Sequence, residues 1–163
     1  MSKYAYGLAA VALAASVAAP ANAQLLARKD LSLATALTIA TTAIETCKTN
    51  GYAVSVTVVG RNGEVILQLR GDNTGPHTME NSFRKAYTSR TFRSSSGDFA
   101  KRLKDNPLLP LIHLSNVVAA QGALPIKLGE ETIGAAGASG APGGEKDEVC
   151  VKAGLDKVAD QLK

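Results

Sequence analysis

One uninterrupted run, TIGAAGASGAPGGEKDEVCV from Thr132 to Val151, constrains this chain more than any other stretch. Thr132 to Ala138 alternates small and apolar residues with almost no charge, which suits a strand packed closely on its neighbours. Glycines at 134 and 137 carry no side chain, so another backbone can approach there, and the strand reads as central. Gly140, Gly143 and Gly144 then permit conformations closed to other residues, while Pro142 fixes one dihedral. Glu145, Asp147 and Glu148 fall where the start of a helix favours negative charge. The run therefore reads as strand, turn and helix start.

The same residues exclude several chemistries. A dinucleotide fold places its glycine turn at the front of a strand, helix, strand unit, but only about twenty residues follow Gly143 and none forms a second strand. No Lys-Ser or Lys-Thr pair closes the run, so it is not a phosphate loop. Gly137-Ala138-Ser139-Gly140 misses the spacing of a nucleophile elbow, and no His-Asp partnership accompanies it. No reaction is identified, and the expectation is a protein that is not an enzyme.

Residues 1–23 read as a signal peptide. Lys3 supplies a positive start, Gly7 to Ala19 an apolar run, and Ala21-Asn22-Ala23 a small-x-small cleavage site. The apolar run is shorter than the roughly 20 residues that span a bilayer, so the expectation is an exported, periplasmic or extracellular domain of residues 24–163 with no membrane span after cleavage. The formal net charge of +4 loses one unit with Lys3 and is too mild to argue for nucleic acid. The distribution is more informative. Arg84, Lys85, Arg90, Arg93, Lys101, Arg102 and Lys104 are set against Asp98 alone, whereas Glu130 to Glu148 is acidic. The basic stretch reads as a solvated helix face or an anion site, and the Glu145 to Glu148 carboxylates as one exposed helical turn able to attract a cation.

From Leu33 the residues Leu33, Leu37, Ala40, Ile44 and Cys47 recur at helical spacing, with Ser32 to cap the helix and Asn50-Gly51 to end it. Tyr52 to Val59 switches to a period of two, and Glu64 to Arg70 resumes it after Gly60-Arg61-Asn62-Gly63, whose Asn-Gly pair favours a hairpin. Gly71 to Pro76 is a loop, after which Thr78 can cap a second helix with Met79, Phe83, Ala86, Tyr87 and Arg90 down one side. Ser94 to Gly97 breaks that helix, and Asp98 to Lys104 makes a short third one. Leu108 to Leu124 is an irregular apolar passage, Pro125–Leu128 and Thr132–Ser139 make a second hairpin, and Lys146 to Leu162 a last helix with Val151, Leu155, Val158 and Leu162 inward.

Two hairpins that are unstable alone must share one sheet, which gives an α+β fold, an antiparallel β-sheet with the terminal helices packed on one face. Cys47 ends the first helix and Cys150 lies in the first turn of the last, so antiparallel packing brings them together as a disulfide in an oxidising compartment. They do not read as a zinc site, because His77 and His113 show none of the short paired spacings.

In this order the stretches resemble the GlcG/HbpS-like family of small bacterial haem-binding proteins. The resemblance is carried by the helix-then-hairpin opening, Arg84 to Ser89 after a glycine-containing loop, the strand start Ala123-Leu124-Pro125-Ile126, and Ile133-Gly134 through Ser139-Gly140 followed by Asp147-Glu148. It implies a profilin-like antiparallel sheet between helices, homo-oligomers, and binding of haem or, in some relatives, a corrinoid. Haem requires an axial donor, an apolar slot and cations for its propionates. His77 offers the donor and metal ligand, Met79, Phe83 and Tyr87 the apolar strip, and Arg84, Lys85 and Arg90 the cations. The alternatives are a surface histidine capping its helix for His77, a core histidine for His113, and a core residue for Tyr87, although a phenolate can also hold ferric iron. The expected function is haem binding or sequestration, and the alternative is a non-haem structural or sensory oligomer that binds a corrinoid or small organic anion.

Overall fold

The computed structural model describes residues 24–163. The expected signal peptide, residues 1–23, lies outside the described residues. The elements are α1 (Leu33–Thr49), β1 (Ser55–Val59), β2 (Val65–Arg70), α2 (Thr78–Phe92), α3 (Ser96–Asp105), β3 (Ala123–Leu128), β4 (Glu131–Ser139) and α4 (Gly144–Lys157). Short 3-10 turns follow at Pro110–His113 and Ala159–Leu162.

The strands form one antiparallel sheet in the order β2-β1-β4-β3. Both predicted hairpins are present, and β1 joins them by pairing with β4, from Ser55 opposite Ser139 to Val59 opposite Ala135. β4, free of charge beyond its first residue Glu131, is thereby central. α1 and α4 cover one face and α2 the other, so the fold is α+β as its sequence predicted.

Local signals set the boundaries of α1. The Ser32 hydroxyl accepts the Thr35 N–H at 3.1 Å, and Gly51 follows the helix at a φ of 82°. The buried stripe is only partly the expected one: Ala40 and Cys47 are fully buried and Ile44 packs against the core, but the two leucines are not inside. Ala36, Ile39, Ala40, Ala43 and Cys47 are inside, while Leu33 and Leu37 are 61% and 44% exposed. Small residues win that face because α4 approaches closely, and a Cβ at Gly154 would collide with the Ile39 carbonyl. The Cys47–Cys150 disulfide joins the two helices with a Cα–Cα distance of 5.5 Å across 103 residues, and both cysteines are fully buried.

The orientation of α2 also departs from its pattern. Thr78, Ser82, Lys85, Thr88 and Ser89 are buried together with the expected Ala86, while Met79, Phe83, Tyr87 and Arg90 are only half-buried. The sheet face beneath is itself short and polar. Ser55 Oγ lies 2.8 Å from Thr78 Oγ1, and Thr57 Oγ1 lies 2.8 Å from Ser82 Oγ, so buried hydroxyls satisfy one another. At Gly137 a Cβ would stand 2.6 Å from the Ser82 carbonyl oxygen, which is the close backbone approach the glycine predicted. Thr78 is the first helical residue rather than the cap, and its hydroxyl donates to the Gly75 carbonyl at 2.8 Å. Phe83 packs beside Ala86 against Val59 and Ala135 of the sheet, whereas Tyr87 packs toward α3, where the Phe92 and Phe99 rings stack with centroids 4.2 Å apart.

Candidate functional site

The glycine-rich run and the basic helix meet at a buried ion pair. Lys85 Nζ donates to Asp147 Oδ2 at 2.7 Å and to the Ala138 carbonyl at 3.1 Å, and the two side chains are only 4% and 3% exposed. The other oxygen, Asp147 Oδ1, accepts the Ala141 N–H at 3.0 Å. Burial pushes the Asp147 carboxyl above the ordinary carboxylate range, and its bonds to Lys85 and Ala141 offset only part of that shift. The acidic run is therefore not a row of exposed carboxylates. Burial likewise raises Glu148, against a hydrogen bond from Gln121.

Above the pair opens a cleft of about 290 Å³ lined by His77, Asn81 and Lys85 of α2, by Gln121, and by Ser139 to Gly144. Asn81 Nδ2 donates to Ser139 Oγ across it at 2.9 Å. His77 stands exposed at the helix start with no side-chain capping bond. Lys85 forms the floor and is not on a solvated basic face. Arg84 turns away, its Nη2 donating to the Val117 carbonyl at 2.8 Å and its Nη1 lying 3.6 Å from Glu80. Tyr87 packs against Phe83 with ring centroids 5.8 Å apart and joins the α3 cluster. Ten residues of helix put His77 and Tyr87 about 15 Å apart along its axis, so they do not share one ligand atom. His113 lies exposed in a 3-10 turn rather than in the core.

A larger cleft, about 510 Å³, lies between the end of α1 and the end of β2. Ile44, Val54 and Leu69 make its apolar wall, Tyr52 adds a phenol, and Lys48 and Arg70 add cations beside Glu45 and Asp72. Lys146 Nζ holds the Tyr52 ring from 5.4 Å. These residues fit the three needs of haem together, which the His77 cleft does not, because Met79 and Phe83 do not line it. The sequence pattern missed this cleft; its one legible signal was an aromatic directly after the helix-ending Asn50-Gly51. Among the described residues no group of three or more His, Cys, Asp or Glu is placed to hold a metal ion, and no helix is long and apolar enough to cross a membrane.

An α+β module of this kind, one sheet with helices on both faces and open clefts at the sheet ends, defines a recognisable class of small domain. The chain belongs to the HbpS-like family, whose model, described as haem degrading protein HbpS-like, matches residues 31–156. The crystal structure of HbpS is 32% identical with a TM-score of 0.79, covering 85% of this chain and 97% of that one. A double mutant of Streptomyces reticuli HbpS is similar at 32% identity and a TM-score of 0.79, over 88% of this chain and 97% of that one. PduOC, solved as a complex with heme, shares the fold at 18% identity and a TM-score of 0.73, over 79% of this chain and 95% of that one. A comparison with curated proteins found no match.

Proposed function

We propose that this protein binds and sequesters haem in the cleft between α1 and the end of β2. The observation that carries the reading is the meeting, in one cleft, of the Ile44, Val54 and Leu69 wall, the Tyr52 phenol and the Lys48 and Arg70 cations. A volume of about 510 Å³ sits within the usual range of small-molecule sites. Membership of the HbpS-like family and the fold shared with a protein solved with heme support the same ligand class. Bound haem supplies an iron that takes an axial oxygen or nitrogen donor. Tyr52 would supply the donor to the iron, the Ile44, Val54 and Leu69 wall would keep water from the ring, and Lys48 and Arg70 would meet the haem carboxylates. Hemin titration of the protein tests it. Tyr52→Phe is expected to weaken binding about tenfold and shift the Soret band, as loss of one axial bond should, while His77→Ala leaves both unchanged.

His77 carries a second reading because it is exposed and unbonded at the mouth of the other cleft. The reverse result, with His77→Ala lowering affinity and Tyr52→Phe silent, would select it. A wild-type protein that gives no Soret change with hemin would favour the corrinoid or organic-anion alternative. The reading is one of binding without turnover, so hemin-loaded protein given a reductant and dioxygen is expected to keep its Soret band. Export predicts a secreted chain beginning at Gln24, read by N-terminal sequencing. Homo-oligomers are expected too, and a monomer mass in light scattering at micromolar concentration would remove them.

A further inference from the structure

The opposite end of the sheet carries a cleft of about 390 Å³ in which four arginines converge from three separate segments, with Glu130 and Glu131 also on its lining. Arg28 arrives from the leading segment, Arg61 from the β1–β2 turn, and Arg90 and Arg93 from the end of α2. Arg61 is the fixed wall. Its Nε donates to Asp30 Oδ1 at 2.9 Å, its Nη2 to the Lys29 carbonyl at 2.6 Å, and its Nη1 to Glu131. These bonds tie residues 29 and 30 to the turn and so bring Arg28 to the rim.

The other three guanidiniums are unmatched. Among the described residues no carboxylate lies within ion-pair distance of Arg28, Arg90 or Arg93. Arg90 Nε is buried without a hydrogen-bond partner, a cost a native structure rarely carries without a reason. Burial and then the charges of Arg93 and Arg61 lower the proton affinity of Arg90, against a smaller opposing pull from Glu64 and Glu131. Attraction to the carbonyls ending α2 accounts for Arg90 and Arg93 in part. It does not account for Arg28 and Arg61, which come from elsewhere in the chain. Arg93 also sits at a φ of 56°, a left-handed conformation in which glycine would be at ease.

We propose that this cleft binds a phosphate-type oxyanion, held by the Arg28, Arg90 and Arg93 guanidiniums with Asn62 and Thr132 alongside. Paired N–H groups of guanidinium match the oxygens of such an anion, and the anion offsets the excess of four arginines over the two glutamates, of which Glu131 is held by Arg61. Arg61 stays with its own carboxylates. The site lies beyond the β1–β2 turn, whereas the Tyr52 cleft lies at the far end of β2, so the two are independent.

Inorganic phosphate is the probe, with potassium chloride at matched ionic strength as the control. Phosphate is expected to raise the melting midpoint saturably, by about 3 °C or more at saturation, and chloride is not. Arg90→Gln is expected to abolish the response. Arg93→Gly guards against a folding artefact, since it removes one guanidinium while suiting the left-handed backbone, and should weaken phosphate binding about tenfold. A chloride effect equal to that of phosphate would overturn the proposal, as would an Arg93→Gly protein with an undiminished response. Competition between phosphate and hemin would overturn the independence of the two sites, whereas additive binding supports it.

Discussion

Replacing Lys85 with methionine asks what the buried ion pair does for the fold. The substitution keeps the length of the side chain but leaves Asp147 in a site only 3% exposed, with the Ala141 N–H as its remaining partner. Removing one member of a buried pair strands the other charge, at a cost of about 3–5 kcal/mol. For a chain of this size that loss lowers the melting midpoint by about 10 °C. The pair itself is another matter. Burial outweighs Lys85 in setting the Asp147 carboxyl, so its ionised form is not favoured by the folded state as a whole. The double variant Lys85→Met with Asp147→Leu should therefore recover most of the loss, to within about 1 kcal/mol of wild type, less the bond to Ala141. The pH dependence has a definite sign. An acid with a folded pKa above its unfolded value takes up its proton first in the folded state, so its contribution to stability grows as pH falls through the folded pKa toward 3.8. The deficit of Lys85→Met should therefore narrow on acidification. The chain has no tryptophan, so urea unfolding is followed by far-ultraviolet circular dichroism. A loss below about 1 kcal/mol for Lys85→Met, or a double variant no better than the single one, would refute the argument.

Joint replacement of Cys47 and Cys150 by alanine should cost about 4–5 kcal/mol in the chain-entropy model, because the bond closes 103 residues, and the urea midpoint with and without reductant measures it. Both sulfurs are buried, so reductant should open the bond readily only in denaturant. Gly154→Ala forces a Cβ against the Ile39 carbonyl and should lose about 1–3 kcal/mol by the same assay, despite alanine's better helix propensity. Glu148→Gln removes a carboxylate that burial has made harder to ionise, so it should be at least as stable as wild type at pH 7. That advantage should vanish as pH falls below 4.5, where the wild-type group is neutral in both states.

Much of this architecture is local and therefore legible in the residues. Ser32 and Gly51 bound α1, Asn62-Gly63 turns the first hairpin, and the small residues of β4 announce a strand that neighbours press from both sides. The disulfide was legible as well, because two cysteines near adjoining ends of antiparallel helices have little other choice in an oxidising setting. Which face each helix buries was not. α1 presents leucines and alanines at neighbouring angles, and only the approach of α4 at Gly154 decides for the alanines. α2 rests on hydroxyls and on Gly137, with Phe83 its one aromatic against the sheet residues Val59 and Ala135, because most of the side chains beneath it are short and polar. Lys85 reads as one more solvated cation in a basic run until the fold brings it to Asp147, 62 residues away. The same holds for the clefts. His77 and Lys85 line one cleft while Arg84 and Tyr87, equally close in sequence, point elsewhere, and Tyr52 meets Leu69 and Arg70 only because β2 runs back along β1. Periodicity and turn chemistry act over a few residues and so are written in the chain, while burial of charge and the assembly of a site depend on distant segments and exist only once they have packed.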